Sequence, residues 1–365
     1  MKKYKFLDER KFRFICQGLT LTSKDMEVFD HALIGLDKLK GIPNKIISHS
    51  NRFGFGMPPS FKGPQVIANL DVLYSPEKGR LSTATIVEHK EILDAAPALH
   101  INLRSPSLDI PQRVEIPLRY VLKGLPKLEN TYMVYLHVLK MEDGSDYVYY
   151  GITKRGWMKR FNEHMSGALR DRSPLLFHRT LREGILGRVT QLYGKVSMEA
   201  DSDEKVQKIL VGNHHVVCAA GLPEEQALET EEYLVGNYSF SLPNGLNMIP
   251  GGKAGISYLH KLNALPADTP ILVDEDREKI IKKYIEDHPR KGVPNPLVAQ
   301  IWNDADYAAK VICGRDGRLS IEQVQLIREA AIEGLRVSEI RELVSAKDNQ
   351  QVMRVLDGKT YARIH

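Results

Sequence analysis

The feature that most constrains the fold is a pair of strand-like segments separated by a tight-turn signal. Residues 132–139 and residues 146–151 are rich in β-branched and aromatic side chains, which is typical of β-strands. Between them, Asp143 and Gly144 form a dipeptide that favours a tight hairpin turn. This part of the chain therefore predicts an antiparallel hairpin.

The length of the turn decides which side chains share a face of this hairpin, because residues two apart on a strand point the same way. A two-residue turn would place Tyr149 on the face away from Tyr135. A three-residue loop at 143–145 would place Tyr149 opposite Leu139 and on the same face as Tyr135. A site that uses both tyrosines therefore requires the longer loop.

After Lys154 the sequence changes to a helical pattern. Apolar residues recur at helical spacing, and they are Trp157, Met158, Phe161 and Met165. Arg160 and His164 are four residues apart, so they lie one turn above each other on a different face of the helix. We expect a phosphate site to form on that face.

Taken in chain order, one set of residues resembles the GIY-YIG nuclease family. The set consists of Met133-Val134-Tyr135, Tyr149-Tyr150-Gly151, Arg160, His164, Glu231 and Asn247. It departs from the family at Met133, Val134 and Tyr150, which replace letters that are largely packing positions. The match covers residues 133–252, about a third of the chain, and residues 184–208 look like an insertion within it.

The resemblance implies an α+β fold in which a central antiparallel three-stranded sheet is flanked by helices, as a small α/β sandwich. It also implies a metal-binding glutamate, on a helix predicted over residues 223–235. That helix has five glutamates, and Glu231 fits the family spacing because Leu234 and Val235 follow it, with Glu232 as the alternative. The expected cofactor is Mg²⁺, or Mn²⁺, because a single hard oxygen ligand suits an ion that keeps several waters.

The resemblance also assigns roles to the other residues of the set. Tyr135 is the expected general base, with His164 accepting or orienting its proton. Tyr149 is expected to position water or the phosphate, and Arg160 to neutralise the phosphate charge. We expect Asn247 to shape the site by hydrogen bonding.

Positive charge is concentrated after the hairpin. Residues 151–190 contain nine lysines and arginines against three acidic residues, a net charge of +6, whereas the whole chain is +5. A DNA backbone requires such a concentration of positive charge. Within this part we expect Lys154, Arg155 and Lys159 to contact DNA.

The C-terminal residues predict three short helices. Ser320 and Gln323 form a capping box that begins the first helix, and Gly334 ends it. Ser338 is expected to cap the second helix, and residues 348–356 form the third.

This arrangement resembles a helix-turn-helix DNA-binding module. The third helix should face the core with Val352, Val355 and Leu356. The side chains expected in the major groove, where amide and guanidinium groups read base edges, are Asn349, Gln350, Gln351 and Arg354. The alternative is a small helical bundle without a role in DNA binding.

We expect four parts in the chain. They are a mixed α/β domain at 1–127, the nuclease-like domain at 128–258, a helical connector at 259–313 and the helix-turn-helix-like module at 314–365. The first part is either a target-recognition or oligomerisation module or a scaffold. Its clearest predicted elements are strands at 65–73, 84–88 and 113–118 and a helix at 25–40.

The cysteines predict a reducing compartment. Cys16, Cys218 and Cys313 are widely spaced, which argues against a disulfide framework or a cysteine-rich zinc site and suits the cytoplasm. His214 and His215 are adjacent on a predicted strand, so they point to opposite faces and form a poor pair of ligands. No apolar run approaches a membrane span, and we expect no membrane association.

The sequence thus predicts a metal-dependent DNA endonuclease whose partner is double-stranded DNA. A homing or phage-borne role fits the C-terminal module, whereas a restriction or defence role fits the large N-terminal region. A non-catalytic DNA-binding regulator with a degenerate nuclease fold is the main alternative, and an RNA-directed nuclease is a further one. Because one such site cuts one strand, a double-strand break requires a homodimer or two successive events.

Overall fold

The structure is a computed structural model. It describes residues 4–53, 65–75, 77, 79–89, 97–105, 107–124, 127–194, 208–265, 274–288, 309, 312–313, 318–361 and 364. The chain divides into two compact units, Met1–Val293 and Pro294–His365. The predicted boundaries at residues 127 and 258 both fall inside the larger unit.

Seven described strands of the larger unit form one mixed sheet. They are β1 (Gln65–Ser75), β2 (Gly79–His89), β3 (Ala98–Arg104), β4 (Pro111–Pro117), β5 (Tyr132–Met141), β6 (Asp146–Thr153) and β7 (Leu210–Leu222). Their spatial order is β2-β1-β3-β4-β7-β5-β6. Neighbours are antiparallel except for β1 with β3 and β4 with β7, which are parallel.

The prediction of a separate three-stranded sheet is wrong. β7, β5 and β6 are antiparallel with β5 in the centre, but β4 pairs with the other side of β7, from Gln112 to Glu115. A bare edge of β7 would leave a row of backbone N–H and C=O groups unpaired. The pairing with β4 satisfies them and extends the three strands into the seven-stranded sheet, which is compatible with the α+β class.

Helices cover parts of both faces of this sheet. The described α-helices of the larger unit are α1 (Glu9–Ile15), α2 (Ser23–Lys40), α3 (Ile42–Phe53), α4 (Trp157–Leu169), α5 (Leu176–Tyr193), α6 (Glu224–Tyr238), α7 (Gly252–Lys261) and α8 (Asp274–Asp287), and a short 3-10 helix spans Leu118–Tyr120. α2 packs on β1 and β2, α4 on β5 and β6, and α5 on β7. α6 packs on the opposite face of β5 and β6, over a core that is separate from the main one. None of the described helices is both long and apolar enough to span a membrane.

Several elements agree with the sequence pattern. The predicted strands near residues 65, 84 and 113 are confirmed as β1, β2 and β4, and the predicted helix at 25–40 as α2. The first ten residues of the expected insertion, 184–193, belong to α5, and residues 195–207 lie outside the described residues. β3 was not predicted.

The β5–β6 hairpin has the predicted loop length in a shifted position. Its three-residue loop is 142–144, one residue earlier than expected. Gly144 has φ +83°, a left-handed conformation that glycine adopts without steric cost. Tyr149 consequently lies opposite His137. The shift leaves the alternation of faces unchanged, so Tyr149 still shares a face with Tyr135.

The smaller unit contains three described helices around a small core. They are α9 (Ile321–Ile332), α10 (Val337–Leu343) and α11 (Asn349–Leu356). The predicted capping box at Ser320 is confirmed. The predicted cap at Ser338 is wrong, because the N-cap residue of α10 is Arg336, two residues earlier. Leu356 was expected in the core, but it is 37% exposed, whereas Val352 and Val355 are buried.

Candidate active site

The hairpin and α4 bring two tyrosines and a histidine together. The Tyr135 hydroxyl lies 3.5 Å from Nε2 of His164, and both side chains are buried. The rings of Tyr149 and His164 meet edge to face, with their centroids 5.1 Å apart. Residues from two strands and one helix therefore form a single buried cluster.

Arg160 lies in the same cluster, one helical turn before His164. Its guanidinium is almost fully buried and donates hydrogen bonds to Glu163 Oε2 at 2.6 Å and to Glu278 Oε2 at 2.8 Å. Glu163 is on the same helix, whereas Glu278 is on α8. The partner that reaches Arg160 from outside α4 is therefore a carboxylate 118 residues further along the chain.

The Glu278 carboxylate is the point at which the cluster converges. Its Oε1 accepts a hydrogen bond from the Tyr149 hydroxyl at 2.6 Å and lies 3.6 Å from Nδ1 of His164. Its Oε2 accepts the hydrogen bond from Arg160. An arginine and a phenol thus bind the two oxygens of one anion, and charge-assisted bonds of this kind are the strong ones in proteins.

His178 extends the cluster from α5, and sequence analysis did not identify it. Its Nε2 lies 2.9 Å from Nδ1 of His164. The close approach depends on Gly167 of α4, where a Cβ atom would lie 2.7 Å from the His178 ring. The two nitrogens of His164 therefore face Tyr135 on one side and His178 on the other.

Burial keeps both imidazoles neutral. Desolvation, followed by the positive charge of Arg160 and the neighbouring His178, lowers the pKa of His164 well below its usual range. Desolvation also lowers the pKa of His178, although the Glu278 carboxylate acts in the opposite direction. At neutral pH His164 is consequently a proton acceptor rather than a cation.

Glu231, the predicted metal ligand, is buried on α6 and already paired. Nη2 of Arg277 donates to both of its oxygens, at 2.9 and 2.7 Å, and the Gly252 N–H donates to Oε2 at 2.8 Å. Gly252 is the first residue of α7 and has φ +54°. A Cβ atom there would lie 2.2 Å from the Leu228 carbonyl oxygen. Only glycine lets this helix start approach α6 so closely.

The Glu231 carboxylate fits a divalent cation in the place now taken by Arg277. A carboxylate offers about four lone-pair sites, and Gly252 occupies one of them. A cavity of about 30 Å³ adjoins Glu231, Arg277, Glu278 and Tyr149, which is room for about two water molecules. The donor set therefore suits a hydrated Mg²⁺ or Mn²⁺ ion once the guanidinium is withdrawn.

A second group of ligand atoms lies in the cluster itself. One atom each from His164, His178 and Glu278 lies within 4.8 Å of the others. Imidazole nitrogens suit zinc or other transition metals better than magnesium. In this structure the two imidazoles contact each other directly, and the guanidinium of Arg160 binds Glu278.

Asn247 holds the backbone of β6 next to Tyr149. Its Oδ1 accepts hydrogen bonds from the Tyr150 N–H at 3.0 Å and from the Ser239 hydroxyl at 2.7 Å. Its Nδ2 donates to the Tyr150 carbonyl oxygen at 2.8 Å. Asn247 thus positions the strand that carries Tyr149.

The three basic residues proposed to contact DNA lie on the surface at the start of α4. Lys154, Arg155 and Lys159 are exposed, and Arg155 pairs with Glu163 at 3.0 Å. Arg188 instead donates to main-chain oxygens of the loop between β3 and β4. The positive charge available to a ligand is therefore smaller than the sequence count implies.

In the smaller unit, α11 exposes three of the four polar side chains expected to face DNA. Asn349, Gln350 and Arg354 are exposed. Gln351 is half-buried, and its Oε1 accepts a hydrogen bond from the Lys347 N–H. It therefore fixes the turn before α11 instead of extending outwards.

A second pair of imidazoles lies deeper in the sheet. Nδ1 of His137 lies 2.9 Å from Nδ1 of His215, and both rings are fully buried. Burial, helped by the adjacent His214, lowers the pKa of His215 to about 3. His214 points to the other face, where Nε2 lies 3.5 Å from Glu115. The expectation of opposite faces is confirmed.

Two further site residues, Arg277 and Glu278, come from a helix that the sequence places in a connector. The helix itself is predicted, because 274–287 is a charged amphipathic stretch. Its contact with the site has no local signal, since adjacent charges on such a helix are usually solvated.

Comparisons with protein-family models, with curated proteins and with solved structures found no match for this chain.

Proposed function

We propose that the protein is a metal-dependent endonuclease that hydrolyses phosphodiester bonds of double-stranded DNA at the cluster of Tyr135, Tyr149, Arg160 and His164. The observation that carries the proposal is the binding of the two Glu278 oxygens by Tyr149 and Arg160. A phosphodiester likewise presents two oxygens that share one negative charge. The same two donors are therefore suited to the scissile phosphate.

The buried tyrosine and histidine supply the proton transfer. The Tyr135 hydroxyl faces Nε2 of His164, which accepts or orients the phenolic proton, and the phenolate of Tyr135 takes a proton from the attacking water. A free phenol has a pKa of about 10 and is a weak base at neutral pH. Arg160 lowers that barrier by stabilising negative charge nearby, and a cation bound at Glu231 would add to this effect.

The remaining proposed residues bind and orient. Glu231 holds Mg²⁺ or Mn²⁺, which when bound neutralises the charge that develops on the phosphate and the leaving oxygen. Asn247 keeps the Tyr149 strand in place. Lys154, Arg155 and Lys159 contact the DNA backbone.

The smaller unit is proposed to select the target. Asn349, Gln350 and Arg354 are exposed on the third helix of a helix-turn-helix-like module, and such groups read base edges in the major groove. Cleavage of both strands would use a homodimer or two events. The three free cysteines suit a reducing cytoplasm.

The test is cleavage of supercoiled plasmid and of phage DNA, with Mg²⁺, Mn²⁺ or chelator. We expect nicking with either metal and none with chelator. Glu231→Gln should abolish nicking while DNA binding persists. Glu229→Gln is the matched control, because Glu229 lies on the same helix and is exposed. Equal nicking by Glu231→Gln and wild type would exclude Glu231 as the metal ligand.

One observation favours a second candidate, a DNA-binding regulator that does not cut. Both buried charges of the site, on Arg160 and Glu231, are paired with residues of α8. A regulator would bind DNA in a salt-sensitive way, and neither it nor any variant of α8 would nick DNA. Cleavage by any such variant would exclude this candidate.

A further inference from the structure

The two adjacent charges of α8 match the two ligands that a nuclease site has to bind. Arg277 places a cation on the Glu231 carboxylate. Glu278 places an anion between Arg160 and the Tyr149 hydroxyl. The cation thus lies where the divalent metal is proposed, and the anion where the phosphate is proposed.

We propose that α8 is an internal mimic of the metal–phosphate pair, and that it closes the site until it is displaced by a divalent cation and DNA. This inference rests on the proposed function of the site. Occupation is mutually exclusive, because the guanidinium of Arg277 lies against both oxygens of Glu231 and a second cation in the same place would be repelled by its charge. Glu278 likewise uses the donors that would hold the phosphate oxygens.

The burial of the residues around α8 and the small adjoining cavity indicate that the site is closed to DNA in this structure. The Glu231 and Arg277 side chains are only 1% and 3% exposed. The adjoining cavity, about 30 Å³, takes water but not a nucleotide. DNA therefore reaches Tyr149 and Arg160 only if Glu278 moves away.

α8 packs outside the main hydrophobic core. Its buried apolar residue Ile281 belongs to a small cluster with Leu175, Ile249, Leu259 and Leu265, distinct from the cores of the sheet. The rest of the helix is mostly charged. Two ion pairs, the hydrogen bond from Tyr149 and a small apolar cluster thus hold α8, so withdrawal of the helix would leave the sheet cores intact.

A purely structural role for these ion pairs predicts the opposite result from a mimic. If Arg277 and Glu278 only stabilise the fold, their neutral variants bind metal and DNA no better than wild type. If they occupy the site, the variants bind better, because a closed state reduces apparent affinity by the fraction of open molecules. The direction of the change therefore decides between the two roles.

The experiment measures binding in the full chain, separately from cleavage. Mn²⁺ affinity is measured by electron paramagnetic resonance for wild type and Arg277→Gln. Affinity for a short DNA duplex is measured by fluorescence anisotropy for wild type and Glu278→Gln. We expect each variant to bind its ligand about tenfold more tightly or better. Glu286→Gln is the control, since Glu286 is exposed on the same helix, and it should match wild type.

The double variant Arg277→Gln with Glu231→Gln identifies the metal position and should lose the gain in Mn²⁺ affinity. Circular dichroism checks that each variant is folded, and Glu278→Gln gives an independent result if Arg277→Gln unfolds. Unchanged or weaker duplex binding by folded Glu278→Gln would overturn the mimic. Tighter binding in both variants without any nicking would support the mimic and reject the nuclease function. Faster nicking by Glu278→Gln would support both.

Discussion

The N-terminal half of the sheet and the half formed by β5, β6 and β7 bury their charges in different ways. In the N-terminal half, Asp30 accepts hydrogen bonds from the backbone N–H groups of residues 5–7. Asp25 is bound by Thr22 within the cap of its own helix and by Arg80 and Ser82 of β2. In the β5–β7 half, the buried Arg160 and Glu231 are both paired with α8.

The difference separates charges that stabilise the fold from charges that can act on a ligand. The partners of Asp25 and Asp30 are backbone N–H groups, a helix cap and side chains of strand β2, and they cannot leave without local unfolding. Arg160 and Glu231 each have one partner on α8, so the proposed withdrawal of that one helix would remove both partners together. Removing α8 from Arg160 and Glu231 lowers stability, because each charge then lacks its partner. A ligand that takes the place of α8 restores the partners and is itself bound by the two charges.

The largest expected effect is the loss of activity when a buried charge of the β5–β7 half is removed. Replacing Arg160 with Met should slow plasmid nicking by roughly 10²–10³-fold, because one charged donor to the transition state is lost. The rate is measured per folded molecule in saturating Mg²⁺. A rate within a factor of about three of wild type would remove Arg160 from the mechanism.

The same kind of change in the N-terminal half should affect stability alone. Asp25→Ala should lower the free energy of unfolding by about 2–3 kcal/mol, because hydrogen bonds to a charged group are lost together with a helix cap. Urea unfolding gives the value, and nicking per folded molecule should not change. A slower nicking rate in the folded variant would contradict the division between the two halves.

The two halves should also differ in the pH at which acid lowers their contribution to stability. The pKa of His215 is about 3 in the folded protein and about 6.5 in an unfolded chain, so the unfolded state binds the extra proton. Its contribution to stability is therefore present above pH 6.5 and is lost as pH falls, by about 2 kcal/mol at pH 5. His215→Phe should flatten the pH dependence of the urea midpoint between pH 6.5 and 5.

Asp25 should respond only in stronger acid. Burial acts to raise its pKa, but hydrogen bonds from Ser82, Thr22 and Arg80 outweigh it and lower the pKa below the usual 3.8. Its contribution is present above pH 4 and is lost as pH falls through the lowered pKa. An Asp25-dependent change already at pH 5–6 would contradict this order.

The last prediction concerns DNA binding by the helix-turn-helix-like unit compared with that of the β5–β7 half. Arg354→Ala should weaken binding to the preferred sequence by about 1–3 kcal/mol, the contribution of one good base contact. Lys159→Ala should weaken binding to all duplexes and reduce the salt dependence by about one phosphate contact. Competition binding against random duplex measures both. An equal loss on every sequence with Arg354→Ala would place that residue on the backbone.

Much of the scaffold could be predicted because local interactions decide it. The alternation of residues and the Asp143–Gly144 signal gave the hairpin and the shared face of Tyr135 and Tyr149, although the loop lies one residue earlier. The capping box at Ser320 marked the start of α9. Spacing alone placed Arg160 and His164 one turn apart.

Sequence alone thus determined the β5–β6 hairpin, helix α2, the start of α9 and the order of the motif, because turns, caps and periodicity act over a few residues. Tertiary structure alone decided that β4 extends the sheet, that His178 meets His164 over Gly167, and that Arg277 and Glu278 enter the site. Those contacts join segments whose local patterns are equally compatible with a solvated surface. The packing of distant segments decides whether such a segment is buried in the site or solvated, because the free energy of burying a charge depends on the partner it meets.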